Sequence, residues 1–412
     1  MAEVLAGAGP HTHEDAAPDT ERGKFAAIIV VGHALKHALV SGITSAILPE
    51  IKTSLSLTDT QVGSLGSVQQ FSGWTATMSA GYLGDRFTNK TGLMLGLSLA
   101  MVGGALLLIG VANSYLMLLF AFLCLGFGPS MFHPPAVGAL SRRFADRRAF
   151  AISLHGTGGS IGEALGPITA AGLLGVLFWR DVVRVEFVPA IIGALLLFLM
   201  LKDRGGHDHA ASGTFRDYLG SFVGLLRNRT LTLILLVTAC RTVGQSTTAI
   251  FLPIYLREDL GYSSALVGLY ISMSQVAGIG SQPLMGFLSD RFGHKQVMLP
   301  ALILFSLLLF LVPFADGKIA LAIVILALGF FLFSMQSILT SAAVEQAGHE
   351  VHSTVVSLIY ASSFVGSLAP TVAGILSDQY GVQSTFYMSA AMGAVAVMVL
   401  LLTKMPRRVH PA

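Results

Sequence analysis

Ionisable side chains inside apolar stretches are the residues of this sequence best placed to do chemistry. His33, Lys36 and His37 lie in the apolar segment 25–49. On a helix turning 100° per residue they fall within an arc of about 100°, so one face presents all three. Glu163 stands near the middle of segment 149–177 and reads as the one acidic residue deep in the apolar part of the chain, with His155 two turns before it. Arg241 lies in segment 230–256, with Gln245 one turn on and Thr248 beyond it. His133, followed by Pro134 and Pro135, falls towards the end of segment 114–137 and reads as a hinge residue. A charge at the centre of a bilayer costs at least ~2.5 kcal/mol, which makes each of these residues a site candidate. Imidazoles change charge near neutral pH unaided. Glu163, His37, His155 and His33 are therefore candidate proton carriers. His33, Lys36, His37, Arg241 and Gln245 are candidate substrate contacts, because an arginine fork suits a carboxylate or phosphonate.

The elements that must position these residues follow from composition. Of 412 residues 53% are apolar and 11% charged, against about 25% charged in ordinary soluble proteins. Lipid, rather than one soluble core, must cover that surface. A crossing helix needs about 20 apolar residues. Twelve segments qualify: 25–49, 61–83, 91–110, 114–137, 149–177, 184–201, 230–256, 264–286, 296–313, 318–344, 353–376 and 384–403. Helices are expected because every backbone polar group must be satisfied inside the segment. With both termini cytoplasmic, eighteen Lys and Arg face the cytoplasm and five face outwards, and Lys36 and Arg241 lie within the membrane. The positive-inside rule favours that orientation. Residues 1–24 read as a disordered cytoplasmic tail, 202–229 as a cytoplasmic linker between two six-helix units (25–201 and 230–404), and 405–412 as a second tail. Cys124 and Cys240 both sit in apolar stretches and read as packing residues. A net charge of +3 does not suggest a nucleic-acid partner, and no metal-ligand spacing stands out. The expected partners are a small-molecule substrate and the bilayer, the expected state is a monomer, and no cofactor is expected beyond a proton gradient.

The chain repeats itself. Gly81, Leu83, Asp85, Arg86 and Lys90 recur as Gly286, Leu288, Asp290, Arg291 and Lys295, 205 positions on. Leu48 and Pro49 recur as Leu252 and Pro253, and Leu165 and Pro167 as Leu368 and Pro370, at offsets of 204 and 203. His37 and Arg241 share the 204 offset, which places them at equivalent depths. In segment 149–177, Gly158, Gly162 and Gly166 form one stripe along which a second helix can approach backbone to backbone, and Pro167 softens the helix beyond it.

The doubled Gly-x-Leu-x-Asp-Arg-x-x-x-Lys pattern resembles the signature loop of the major facilitator superfamily, and the resemblance extends over the whole membrane part. It implies an all-α membrane protein of twelve transmembrane helices in two homologous six-helix bundles, with helices one, four, seven and ten lining a central cavity. It also implies a gating latch at Asp85, Arg86, Lys90, Asp290, Arg291 and Lys295. The string ending in Gly162, Gly166 and Pro167 resembles the antiporter motif of drug/proton exchangers. Ser130, Phe132, His133 and Pro134, with Arg241 and the stretch Phe251–Leu256, are similar to the fosmidomycin-resistance branch. That branch implies proton-coupled efflux of a small organic anion across a bacterial inner membrane. One departure concerns the arginine expected on helix four, whose place is held by Phe122. A metabolite importer of the same fold and a non-transporting receptor are the competing readings. Enzyme chemistry is not expected, because no phosphate loop or nucleophile motif occurs.

Overall fold

The computed structural model describes residues 19–144, 147–201, 227–347, 364 and 366–405. Helix α1 (Asp19–Gly42) runs through a π-helical stretch (Ile43–Ile47) into α2 (Leu48–Ser54). The helices α3 (Asp59–Arg86), α4 (Thr91–Val111), α5 (Tyr115–Ser130), α6 (His133–Arg143), α7 (Arg148–Leu174) and α8 (Trp179–Leu201) complete the first half. The second half holds α9 (Arg229–Ile254) with a π-helical stretch at Tyr255–Asp259, α10 (Ser264–Phe292), α11 (His294–Leu311), α12 (Lys318–Ala347), α13 (Ala369–Tyr380) and α14 (Gln383–Leu402). The two π-helical stretches lie beside Pro49 and Pro253, where a missing N–H upsets the regular helical ladder.

Eight of these helical runs are long and apolar enough to cross a membrane by length and composition. The helices α3, α7 and α10 have the length, at 28, 27 and 29 residues, but Gly and Ser dilute their hydropathy. Several of those glycines, among them Gly63, Gly162 and Gly268, lie against a neighbouring helix. With α13 as the described end of the eleventh crossing, the fold is an all-α membrane bundle of twelve crossings, six to each half. Residues 1–18, most of the expected linker (202–226) and 406–412 lie outside the described residues.

Several boundaries differ from expectation by a few residues, and one matters. Residues 19–24, read as tail, already belong to α1. The sixth crossing starts at Trp179 rather than 184, because the aromatic residue buries itself and the polar Arg180, Asp181 and Arg184 can line a helix end. Glu186 therefore lies two turns inside the helix, 6% exposed, and its Oε2 has no partner. Glu163 is thus not the only acid at depth.

The repeats take on a structural meaning where the halves meet. A Cβ on Gly63 of α3 would collide with the carbonyl oxygen of Pro370 in α13. A Cβ on Gly268 of α10 would meet the Pro167 carbonyl oxygen of α7 at 2.5 Å. Gly63 and Gly268 stand 205 residues apart, and Pro167 and Pro370 stand 203 apart. Each half thus lays a glycine of its second crossing on the proline carbonyl of the other half's fifth crossing. The N-caps repeat as well: Thr58 accepts from Gln61 N, and Ser263 from Leu266 N.

Around these contacts a polar network ties the halves at the face opposite Asp19 of α1 and Leu402 of α14. The Asp378 carboxylate of α13 accepts from the backbone N–H groups of Asp59 (2.8 Å) and Thr60 (2.9 Å), and so sits on the positive end of α3. Lys52 bridges Asp59 (2.7 Å) and Glu258. Arg257 and Ser264 both donate to Glu50, at 2.7 and 2.9 Å. Ser67 and Thr371 join at 2.7 Å.

Two expectations follow. Gly63→Ala should prise α3 from α13 and increase labelling of a Ser67→Cys probe by an impermeant maleimide, in a chain lacking Cys124 and Cys240; unchanged labelling would show that the seam tolerates the methyl group. Glu186→Met should raise the thermal midpoint, since an unpartnered buried polar group costs about 1–3 kcal/mol; a lowered midpoint would mean that Glu186 has a structural partner.

Candidate functional site

The glycine stripe read from the sequence sets the spacing of the site. Along α7, a Cβ on Gly158 would lie 2.7 Å from the carbonyl oxygen of Val30, and Cβ atoms on Gly162 and Gly166 would collide with the carbonyls of Ala34 and Ala38 in α1. Glycine therefore matches α1 at every turn over two turns of helix. Gly159, beside the stripe, leaves room for an imidazole: its Cβ would lie 2.6 Å from Cε1 of His33. This close approach sets side chains of α1 against both the backbone and the acid of α7.

Four groups form a chain across that seam. His33 Nδ1 donates to the carbonyl oxygen of His155 at 2.8 Å. His33 Nε2 meets His37 Nε2 at 3.1 Å. His37 Nδ1 lies 3.0 Å from Oε1 of Glu163. The end at His33 and His155 is buried, each being 3% exposed. The end at His37 and Glu163 is accessible, with side chains 21% and 32% exposed.

Lys36 lies beside this chain and points at a break in the fourth crossing. Helix α5 stops at Ser130 and α6 begins at His133. Pro129, Pro134 and Pro135 have no N–H to donate, so a continuous ladder cannot form there. Irregular backbone at membrane depth is tolerated where protein or a cavity surrounds it. The buried ammonium donates to His133 Nε2 at 2.8 Å and to the Pro129 carbonyl at 3.4 Å. His133 is thus a contact of Lys36 at the point where the helix breaks. The proline pair was legible in the sequence, but its effect of turning His133 towards α1 was not.

Nitrogens of His33, His133 and His155 come within 4.8 Å of one another, a grouping drawn from three helices that no sequence spacing could reveal. The His33 and His155 rings stack at 3.7 Å with planes 11° apart. Their in-plane lone pairs therefore run side by side instead of converging as metal ligands must, and Lys36 adds a neighbouring positive charge.

The other sequence candidates are placed elsewhere. Arg241 in α9 is 1% exposed and donates to Gln336 Oε1 (2.8 Å) and to the Leu332 carbonyl of α12, while its Nε has no partner. No described bond joins Arg241 to Lys36 or Glu163. Gln245 is half-buried one turn along. Of the latch residues, the side chains of Asp85 and Arg86 lie outside the described set. Lys90 and Arg291 lie over the neighbouring rings of Phe87 and Phe292, and Asp290 is exposed. Lys295 donates to the carbonyls of Leu401 (2.9 Å) and Thr403 (2.7 Å), capping α14 within its own half. The next residue back was missed: His294 joins Ser289 (2.6 Å) to Glu345 of α12 (2.8 Å). Phe122, in the place of the expected arginine, is fully buried.

Comparison with known proteins agrees with this architecture. The family model of the Major Facilitator Superfamily matches residues 29–366 and 234–412. The chain is 22% identical to the fosmidomycin resistance protein of Escherichia coli (strain K12) over 400 residues, covering 95% of this chain and 97% of that one. It is 24% identical to the probable sulfoacetate transporter SauU of Cupriavidus necator, covering 82% and 83% of the two chains. Among solved structures, a bacterial homolog of the human lysosomal transporter Spinster, inward-facing and unoccupied, superposes with a TM-score of 0.74 at 17% identity, over 94% of this chain and 98% of that one. With the family model spanning both halves and the repeats packed as reciprocal seams, the chain belongs to the Major Facilitator Superfamily of membrane transporters.

Proposed function

We propose that this chain is a proton-coupled secondary transporter of a small organic anion, working by alternating access. The observation that carries this reading is a pair of buried cations, neither within ion-pairing distance of a carboxylate among the described residues. Lys36 and Arg241 are nearly inaccessible, and among the described residues neither pairs with a carboxylate. Glu163 acts on Lys36 only from beyond ion-pairing distance, and burying an incompletely compensated charge is costly. A bound carboxylate, sulfonate or phosphonate would supply the missing charge. The names of two relatives, for fosmidomycin resistance and sulfoacetate transport, are in keeping with anionic cargo. With both termini cytoplasmic, as the basic residues suggest, the network of Lys52, Asp59, Glu258 and Asp378 closes the outer face. Substrate would then reach Glu163 and His37 from the cytoplasm.

Export in exchange for protons is the direction supported by the Gly158–Pro167 seam and by the resistance relatives. Import together with protons is the second reading, supported by the cationic balance of the cavity. Purified protein in proteoliposomes with an imposed pH gradient separates them: export by exchange drives the anion against the proton flow, and import drives it along that flow. Arg241→Lys keeps the charge but loses the fork, and is expected to weaken anion affinity by roughly tenfold, about 1.4 kcal/mol. Glu163→Gln is expected to abolish gradient-driven transport in a folded protein. Good transport of lipophilic cations with none of anions would overturn the proposal.

A further inference from the structure

The polarity of the hydrogen-bonded chain across the α1–α7 seam can be counted. A carbonyl oxygen only accepts, so the first bond needs a proton on His33 Nδ1. The second bond needs one proton between the Nε2 atoms of His33 and His37. The third needs one between His37 Nδ1 and Oε1 of Glu163. Three bonds require three protons. Two neutral imidazoles and a carboxylate hold only two. The third can sit on His33, on His37 or on Glu163, and in each arrangement all three bonds are made and the trio is neutral overall. If it is lost, two lone pairs must face each other somewhere along the chain. The accessible bond between His37 and Glu163 is the one free to open.

We propose that His33, His37 and Glu163 form a binding site for a single exchangeable proton, and that this proton and the transported anion occupy the cavity together. The second half rests on the anion reading above. The other charged or titratable groups described around the trio are Lys36 from α1, His133 from α6 and His155 from α7; α5 offers the Pro129 carbonyl, and next to Glu163 α10 offers Ser272, bonded to the Ala164 carbonyl at 2.7 Å. With the proton aboard the trio carries no net charge, and the charge of Lys36 is left for an anion. Without it the trio carries one negative charge, which offsets Lys36 and repels the anion. Attraction of anion and proton to the same state makes them cross together. That selects import from the two directions left open, and gives one proton per cycle from this site.

The charge on Glu163 is what makes the third proton exchangeable. In Glu163→Gln the amide can donate to His37 Nδ1, so the chain is complete with two neutral imidazoles and the variant imitates the protonated site. The test uses the full-length protein in detergent, with sulfoacetate and fosmidomycin as probes across roughly pH 5 to 8. In wild type, affinity should fall with rising pH, by at most about tenfold per unit for one linked proton, and binding in weak buffer should take up close to one proton. Glu163→Gln should bind at high pH as tightly as wild type does at low pH, with no proton uptake. Proton release on binding, or a pH slope that survives in Glu163→Gln, overturns the proposal. If neither probe binds at any pH, the anion reading fails. The proton site is then judged without ligand, by infrared pH-difference spectra: a one-proton step with joint imidazole and carboxylate bands, absent from Glu163→Gln, upholds it, and titration of Glu163 without imidazole bands overturns it.

Discussion

Backbone contact between α1 and α7 is the constraint on which the rest of the site depends. Without side chains at Gly158, Gly162 and Gly166, the two helices approach so closely that a Cβ at any of the three would collide with the carbonyls of Val30, Ala34 and Ala38. Across that contact His33 donates to the backbone of His155 and His37 meets the carboxylate of Glu163. The same approach brings Lys36 to the broken fourth crossing, where the prolines have removed the regular partners. Packing geometry thus decides which charges meet, and the lipid surroundings make those meetings consequential.

The two halves share a scaffold and differ in chemistry. Each lays a glycine on the other's proline carbonyl, and each begins its second crossing with a hydroxyl cap. The first half holds the titratable groups in a connected chain. The second holds Arg241 against neutral acceptors, Gln336 and the Leu332 carbonyl. Duplication explains the 204-residue offset between His37 and Arg241, but not their partners, which come from differences between the copies.

Much of the fold was legible in the sequence because lipid permits few solutions. Runs of apolar residues and an offset near 204 were enough to mark the crossings and the repeat. The glycine stripe was also legible, as was the clustering of His33, Lys36 and His37 on one face. Pairings across helices were not. That Glu163 meets His37 rather than Arg241, and that His133 meets Lys36, depends on the rotation of each helix about its axis, which apolar periodicity hardly constrains when most faces are apolar. Glu186 escaped notice for a simpler reason: the polar residues Arg180, Asp181 and Arg184 made the start of α8 look like loop.

The reciprocal seams between the halves have the form of an isologous interface, in which one patch meets its own counterpart twice. A single six-helix unit bearing a glycine at the place of Gly63 and a proline carbonyl at the place of Pro167 would complement a second copy of itself, with no new surface required. Joining two such units in one chain frees each seam to change alone. Here one has acquired the carboxylate of Asp378 over the start of α3, and the other the Glu50 contacts to Arg257 and Ser264. An interface that began with equal sides can thereby become a hinge with a preferred direction of opening.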